Sequence, residues 1–213
     1  MVPGDMFVAL SGYKTDGHRY LKEAVEKGAA AVLCQVVPDG MELACPVLLT
    51  KDTRAALAVA AANWFGHPAR EMTMIGVTGT NGKTTTTCLL KTMLERIRKR
   101  VKVGLVGTNR NLIGSLELPA TRTTPDAYEL QALLRVMADA GCTHVVMEVS
   151  SHALALHRTD GIRFAAGIFT NLTQDHLDFH KTMEAYREAK GRLFDQSDTA
   201  VLNLDDDGKT GRR

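Results

Sequence analysis

Short apolar runs alternate with helical periodicity along the N-terminal part of the chain, a pattern typical of an α/β fold. A helix is predicted over Tyr20–Lys27 and ends at Gly28, because glycine readily adopts the left-handed backbone that closes a helix. Another helix is expected after Asp52 or Thr53, either of which can cap it. The runs that predict strands are Met6–Leu10, Ala30–Cys34 and Val47–Thr50.

Gly66-His67-Pro68 interrupts this pattern and predicts a boundary between two domains, 1–67 and 68–213. The second domain repeats the alternation with longer elements. Helices between successive strands predict a doubly wound, mostly parallel sheet. We therefore expect a small N-terminal α/β domain followed by a larger α/β domain. The strands predicted for the larger domain are Met74–Val77, Lys102–Val106, His144–Val149, Ala166–Thr170 and Ala200–Leu204.

Two helices of the larger domain have clear apolar faces. The first follows Lys83 and is predicted to place Leu90, Met93, Leu94 and Ile97 on one face. The second is expected to begin with Thr124 as its cap and Pro125 in its first turn, and to stop at Gly141. The residues that it is predicted to bury are Leu130, Leu133, Leu134 and Met137.

Residues 74–88 run from an apolar strand through a Gly/Thr/Asn turn into a helix that begins with Lys83-Thr84. Gly79 and Gly82 allow the backbone to curl so that its N–H groups surround an anion. Lys83 supplies a charge for terminal phosphates, and the Thr84 hydroxyl can ligate Mg²⁺. Val77 stands where the general phosphate-loop motif has its first glycine. The pattern predicts a nucleoside triphosphate site, and a Gly-rich turn that binds nothing is the alternative.

Further polar residues follow two other predicted strands. Glu148 ends a very apolar strand, where it can contact Mg²⁺ beside the phosphate loop or cap the next helix. The segment 171–180 holds two histidines and two aspartates within six residues, which suits either a metal site or a solvated turn. Ligands of open α/β sheets bind beyond the carboxyl ends of the strands, so we expect one shared site.

Lys190 falls within an apolar helical stripe over Met183–Phe194. A bare ammonium is costly to bury, so a lysine whose charged end reaches solvent is the simpler interpretation of this position.

Composition and charge narrow the function classes. The chain has 213 residues, 45% of them hydrophobic and 23% charged, with a formal net charge of +2. This charge is too small to indicate nucleic acid or an anionic membrane as a partner. The sequence has neither an apolar run long enough to span a membrane nor a signal-peptide pattern, and its four scattered cysteines suit buried thiols. We expect a cytoplasmic, monomeric protein.

Five segments together resemble the Mur ligases, the ATP-dependent amide-forming enzymes of peptidoglycan precursor synthesis. The opening residues 3–9 and 16–20 resemble more narrowly the members that add the third amino acid to UDP-N-acetylmuramoyl-L-alanyl-D-glutamate. The five segments are Thr78–Thr85, Thr123–Asp126, Glu148–His152 with Arg158, Asn171–Asp178 and Tyr186–Lys190.

The resemblance implies a role for each residue. Lys83, Lys190 and His176 are implied to be catalytic, and Lys190 is implied to be carbamylated by CO₂. The metal ligands would be Thr84, Glu148, His176 and the Lys190 carbamate. The ATP site would comprise Gly79, Thr80, Asn81, Gly82, Lys83, Thr84, Thr85 and Asn171. The UDP-muramoyl-dipeptide would contact Tyr13, Lys14, Thr15, Thr123, Thr124, Ser150 and Arg158.

The implied reaction uses ATP and Mg²⁺ and has two steps. The D-glutamyl carboxylate attacks the γ-phosphate to give an acyl phosphate, and the amine of the incoming amino acid then expels phosphate. The sequence leaves diaminopimelate and lysine open as that amino acid. Leu156 stands where this ligase type commonly has a substrate-binding glutamine. Family members also have a third domain and a longer N-terminus, so we expect little or no ligase activity from this chain alone.

Three other functions remain open from the sequence. Folylpolyglutamate synthase and cyanophycin synthetase belong to the same superfamily and share the phosphate loop. A non-catalytic nucleotide-binding fragment is an alternative from another class. A P-loop kinase or GTPase is the third, although neither predicts Lys190 or the cluster within 171–180.

Overall fold

The computed structural model of the chain describes residues 1–12, 15–97 and 101–205. The chain divides into two compact units, Met1–Leu57 and Ala58–Arg213. The division predicted at Gly66-His67-Pro68 lies further along the chain and stays a prediction.

The smaller unit is built on a three-stranded parallel sheet. The helix α1 spans Leu21–Glu26 and is followed by Gly28 with a positive φ of 90°, as predicted. The helix α2 spans Thr53–Trp64, so it begins in the smaller unit and continues beyond the division at Leu57. The Asp52 carboxylate caps it by accepting hydrogen bonds from the backbone N–H groups of Arg54 and Ala55. The strands, in their order across the sheet, are β1 (Met6–Val8), β2 (Ala31–Cys34) and β3 (Val47–Leu49).

The larger unit contains a seven-stranded sheet flanked by helices. The strands are β4 (Thr73–Thr78), β5 (Val103–Val106), β6 (Arg110–Ile113), β7 (Leu116–Pro119), β8 (His144–Glu148), β9 (Phe164–Phe169) and β10 (Ser197–Leu202). The helices are α3 (Lys83–Ile97), α4 (Ala127–Asp139), α5 (Ser151–Ala155), α6 (Leu177–His180) and α7 (Met183–Asp195). The order across the sheet is β10-β9-β4-β8-β5-β6-β7, and the first five are parallel to one another.

Both faces of this sheet are covered by helices. Successive side chains of a strand point to opposite faces. On β4, Met74 belongs to a buried cluster with Leu134 of α4 and Leu193 of α7, whereas Val77 packs with Leu94 of α3. The predicted α/β fold with a mostly parallel, doubly wound sheet is therefore confirmed.

The antiparallel hairpin β6–β7 was not predicted from the sequence. Its strands are four residues each and carry polar residues such as Arg110 and Glu117, so they form no apolar run. Gly114, with a positive φ of 61°, lies in the turn between them. The five predicted strands of the larger unit are all present and differ from the structure only at their ends.

Two predictions about the helices are wrong in detail. Helix α4 begins at Ala127 with Asp126 at the capping position, because the Thr124 hydroxyl is engaged with the end of β8 instead. On α3, Leu90 and Leu94 pack on the core, whereas Met93 and Ile97 are 54% and 73% exposed. The buried stripe of α3 is thus narrower than the apolar pattern indicates. None of the described helices is long and apolar enough to cross a membrane.

The topology brings the ends of three neighbouring strands together. Strand β4 lies between β8 and β9 and is parallel to both. Their carboxyl ends therefore meet at one edge of the sheet, which is where ligands of open α/β sheets bind.

Candidate functional site

The loop between β4 and α3 is shaped by two glycines. Gly79 has a φ of 146° and Gly82 a φ of 83°, a region that favours glycine. A Cβ atom at Gly79 would overlap the hydroxyl of Thr170, so a larger residue does not fit there. The loop leads into α3 at Lys83, and the first turn of a helix has backbone N–H groups without intrahelical acceptors. This local structure suits a phosphate group.

The end of β9 holds this loop in place. The Asn81 backbone N–H donates to Asn171 Oδ1 at 2.9 Å, and Asn171 Nδ2 donates back to the Asn81 oxygen at 3.1 Å. The Thr170 hydroxyl donates to the same Asn81 oxygen at 2.6 Å. Asn171, predicted for the ATP site, thus lies beside the loop and fixes its backbone.

Two lysines converge on the loop from different helices. Lys83 Nζ donates to the backbone oxygens of Gly79 and Thr80, each at 2.9 Å. Lys190 Nζ, on α7, donates to the Gly79 oxygen at 2.8 Å. The predicted catalytic lysines therefore lie together at the phosphate loop.

The Lys190 side chain is buried, and 2% of the surface of this residue is exposed. Its Nζ lies 4.6 Å from the centre of the Tyr186 ring, a distance typical of a cation–π contact. Burial, with the nearby charge of Lys83, lowers the pKa of Lys190 to about 7. Burial also lowers the pKa of Lys83, although Glu148 and Asp175 oppose this effect. The simpler interpretation, a lysine whose charged end reaches solvent, is wrong.

Glu148 ends β8 with its carboxylate directed at the phosphate loop. Its Oε1 atom accepts hydrogen bonds from the Thr84 hydroxyl and the Thr108 backbone N–H, both at 2.9 Å. Its Oε2 atom accepts a hydrogen bond from the Thr108 hydroxyl at 3.0 Å. Glu148 is buried, with 1% of its surface exposed, so it does not act as a solvated helix cap.

These oxygens fit a magnesium ion in their chemistry. Mg²⁺ prefers hard oxygen ligands and is usually held by one or two carboxylates together with phosphates and water. Thr84 and Glu148 supply a hydroxyl and a carboxylate in contact, beside the loop that suits a phosphate. In the part of the chain that the structure describes, no three His, Cys, Asp or Glu side chains form a metal site by themselves.

His176 adopts a left-handed backbone conformation with a φ of 51°. Its exposed ring is edge-on to Tyr186, with the ring centres 6.0 Å apart, and edge-on to His152 at 4.9 Å. Tyr186 also contacts the phosphate loop, since its hydroxyl is 3.2 Å from the Thr80 hydroxyl. His176 and Lys190 thus both contact the ring of Tyr186.

Behind His176, His180 is buried against Ser151, with 2.9 Å between His180 Nε2 and the serine hydroxyl. Burial, with the nearby His152 and Lys190, lowers the pKa of His180 to about 4. His180 is therefore neutral near neutral pH and contributes a hydrogen bond rather than a charge.

Three of the residues predicted to contact the muramoyl-dipeptide are hydrogen-bonded to one another, and Thr124 connects them to the backbone of Glu148. The Thr124 hydroxyl donates to the backbone oxygen of Glu148 at 2.9 Å and accepts from the Ser150 N–H at 3.1 Å. Arg158 donates to the backbone oxygen of Thr124 at 3.0 Å, and its Nε lies 2.8 Å from Oδ1 of Asp126. Thr124 is 1% exposed. Its hydroxyl connects the segment before α4 to the end of β8 and to Ser150. Substrate contact by these residues stays a prediction.

The predicted uridine contacts lie in the smaller unit. Thr15 is exposed and accepts a hydrogen bond from the Gly12 N–H at 3.0 Å through its backbone oxygen. Tyr13 and Lys14 lie outside the described residues.

Thr108 is the site residue that sequence reasoning missed. It follows β5, which lies beside β8, so its position after a strand of the parallel sheet was the available signal. The segment 107–109 carries no acidic, basic or histidine side chain, and nothing else distinguished it.

Two family models match the chain. A model described as "Mur ligase middle domain" matches residues 77–213, and one described as "Mur ligase family, catalytic domain" matches residues 1–65.

A curated relative from Chlorobium phaeobacteroides is 50% identical over 210 residues and is named UDP-N-acetylmuramoyl-L-alanyl-D-glutamate–2,6-diaminopimelate ligase. The match covers 97% of this chain and 41% of the relative, so the chain spans about two fifths of the length of the relative.

A solved structure of a ligase with the same name has a TM-score of 0.82 and 32% identity, covering 97% of this chain and 42% of its own. A MurF ligase from Thermotoga maritima in complex with ADP has a TM-score of 0.61 and covers 96% of this chain and 44% of its own. At 24% identity, that second likeness concerns the fold alone.

Proposed function

This chain belongs to the Mur ligase family, and we propose that it carries the ATP site and the UDP-muramoyl-dipeptide site of a peptidoglycan ligase. The proposed reaction adds the third amino acid to UDP-N-acetylmuramoyl-L-alanyl-D-glutamate. The printed name of the Chlorobium relative supports this substrate, and it supports 2,6-diaminopimelate as the amino acid that the whole protein adds.

One observation carries the nucleotide part of the proposal: the Thr84 hydroxyl donates to Glu148 directly beside a glycine-shaped loop and Lys83. A hydroxyl that donates its proton to a carboxylate keeps its oxygen lone pairs for a cation. Thr84 and Glu148 would hold the Mg²⁺ of ATP, together with His176. When bound, that ion neutralises phosphate charge.

Lys83 is proposed to bind the terminal phosphates. Its Nζ donates to two loop carbonyls, and those hydrogen bonds hold the Nζ atom beside the N-terminus of α3. Phosphate oxygens are stronger acceptors for an ammonium than neutral carbonyls, because they carry a negative charge that attracts the cation. The lysine would therefore move its donors from the loop to the nucleotide.

Lys190 is proposed to react with CO₂. Carbamylation requires a neutral amine, whose nitrogen lone pair attacks the CO₂ carbon and which then releases a proton. A pKa of about 7 leaves a large share of Lys190 neutral at neutral pH. The product is an anion, so it replaces repulsion from Lys83 with attraction and offers carboxylate-like oxygens for a second Mg²⁺.

The dipeptide substrate is anionic, and Arg158, Ser150, Thr123 and Thr124 are proposed to receive it near Glu148. Tyr13, Lys14 and Thr15 are proposed to contact the uridine nucleotide. The D-glutamyl carboxylate would attack the γ-phosphate of ATP, giving an acyl phosphate and ADP. The incoming amine would then attack the acyl carbon and expel phosphate. No protein nucleophile is required, because positioning and charge neutralisation supply most of the catalysis of phosphoryl transfer.

Isothermal titration of this chain with ATP and Mg²⁺ tests the nucleotide part. The parent chain is expected to bind, and Lys83→Ala is expected to weaken binding by about tenfold to a hundredfold, since hydrogen bonds to charged groups contribute about 1.5–3 kcal/mol. Lys102→Ala is the matched control, because Lys102 lies just before β5, at the opposite end of the sheet. No binding by the parent chain, or equal loss in both variants, would refute the proposed site.

A further inference from the structure

Thr108 donates two hydrogen bonds to the Glu148 carboxylate, whereas Thr84 donates one. Its backbone N–H and its hydroxyl donate to different oxygens, Oε1 at 2.9 Å and Oε2 at 3.0 Å. The same hydroxyl lies 3.0 Å from the hydroxyl of Thr123. Thr108 therefore connects the carboxylate to the segment proposed for the dipeptide.

The direction of these hydrogen bonds follows from chemistry. An ionised carboxylate only accepts, and a threonine hydroxyl has a single proton to donate. Because Thr108 donates its proton to Glu148, the bond between the two threonines must be donated by Thr123. A directed chain of hydrogen bonds thus runs from Thr123 through Thr108 to Glu148, and Thr84 donates to the same carboxylate from the first turn of α3.

The backbone beside Thr108 approaches the carboxylate closely. A Cβ atom at Gly107 would lie 2.7 Å from Glu148 Oε1, so a side chain at that position would displace the carboxylate. Gly107 and Thr108 together form a cradle that fits one orientation of the Glu148 side chain. Loss of the Thr108 hydroxyl would leave the buried Oε2 atom without the donor that holds it.

We propose that Thr108 is a positioning residue that holds the Glu148 carboxylate in the orientation that receives the Mg²⁺ of bound ATP. This inference rests on the proposed nucleotide site. It also sets the chemistry of Thr123, whose proton is committed to Thr108. Thr123 then offers lone pairs only, so it recognises an N–H or O–H group of the ligand and not a phosphate or carboxylate oxygen.

The test compares metal-dependent and metal-free nucleotide binding in variants of this chain. The variants are Thr108→Val, which removes the hydroxyl but keeps the shape, and Thr108→Ser, which keeps the hydroxyl. Thr143→Val is the matched control, because Thr143 directly precedes β8 while Glu148 ends it. Mn²⁺ is the probe, and its binding in the presence of ATP is followed by electron paramagnetic resonance. ATP affinity in EDTA is measured alongside.

Thr108→Val is expected to weaken Mn²⁺ binding by about tenfold or more, the usual effect of removing a partner of a metal ligand. Its ATP affinity in EDTA should match that of the parent chain, whereas a general loss of folding would reduce both. Thr108→Ser and Thr143→Val should bind Mn²⁺ as the parent does. If circular dichroism shows that Thr108→Val does not fold, Thr108→Ala takes its place with the same expectation.

Parent-like Mn²⁺ binding by Thr108→Val, or an equal loss of ATP affinity with and without metal, would overturn the role proposed for Thr108. Either result would leave the proposed nucleotide site standing. Failure of the parent chain to bind ATP would overturn the nucleotide site and this inference with it.

Discussion

Lys83 and Lys190 donate from their Nζ atoms to one acceptor, the backbone oxygen of Gly79, at 2.9 and 2.8 Å. Two cations at one buried carbonyl are unfavourable, because burial disfavours each charge and the two repel. Burial lowers the pKa of both lysines, and Lys83 lowers that of Lys190 further. A triphosphate on Lys83 and a carbamate on Lys190 would each relieve this conflict. The site is therefore arranged for anions.

Lys190→Met is expected to stabilise the chain in the absence of CO₂ and ligands. An unpaired buried charge is costly, and replacing even a buried ion pair by apolar side chains of similar volume often gains about 1–4 kcal/mol. The folded-state pKa of about 7 lies below the ordinary value of 10.5. Between these values the unfolded chain binds more protons, so the stability of the parent rises with pH.

The advantage of Lys190→Met should accordingly be largest below pH 7 and shrink toward pH 10.5 in urea unfolding experiments. Lys91→Met is the control, because Lys91 is also buried but pairs with Glu95 at 2.6 Å, and its removal should bring no gain. A destabilised Lys190→Met at every pH would contradict this account of Lys190.

Carbamylation of Lys190 should depend on pH in the same range. CO₂ reacts with the neutral amine, so at a fixed concentration of dissolved CO₂ the carbamate fraction should rise as the pH passes through about 7. Carbon-13 NMR with labelled CO₂ measures this fraction directly. The signal should be missing in Lys190→Met and present in Lys91→Met. A signal that persists in Lys190→Met belongs to another amine.

Gly79→Ala should abolish nucleotide binding and lower the free energy of unfolding by more than about 1 kcal/mol. An alanine there meets both a positive φ and an overlap with Thr170. Gly191→Ala is the matched control: Gly191 lies within α7 with open space around it, and alanine gains about 0.5–1 kcal/mol in a helix. Thermal unfolding and ATP titration of both variants check the contrast, and similar behaviour of the two would contradict it.

Asn171→Ala should weaken ATP binding by about tenfold while leaving the fold intact. The variant loses the paired hydrogen bonds to Asn81, each worth about 0.5–1.5 kcal/mol, that keep the loop ordered before ligand binding. Hydrogen exchange of the loop amides should increase in the same variant. Asn63→Ala on the exposed side of α2 is the control. Unchanged exchange together with weaker binding would indicate direct contact between Asn171 and the nucleotide instead.

Sequence patterns predicted the parts of the fold that have strong periodicity. The strand that leads to Gly79 and the helix from Lys83 were identified because apolar runs and glycine positions mark them. The hairpin β6–β7 escaped prediction because its short strands mix polar and apolar residues and pair antiparallel at the sheet edge. Burial from tertiary packing, which no local pattern encodes, decided which residues of α3 face the core.

The sequence predicted those site residues whose type alone indicates a binding role. Lys83, Thr84 and Glu148 are typical of phosphate and Mg²⁺ sites, and the structure brings them together. The burial of Lys190 depends on how α7 packs under the loop, so the helical pattern alone favoured a lysine that reaches solvent, whereas the family resemblance implied a place for it in the site. Thr108 carries an ordinary hydroxyl, and its importance arises only from the pairing of β5 with β8.

The most direct test of the account is the position of a metal ion bound with the nucleotide. Crystals of this chain grown with Mn²⁺ and a non-hydrolysable ATP analogue would give an anomalous signal that locates the ion. The account predicts a peak about 2.1 Å from the Thr84 hydroxyl oxygen, beside the Glu148 carboxylate, with the terminal phosphates at Lys83. A peak away from both Thr84 and Glu148, or phosphates bound away from the 79–85 loop, would contradict it.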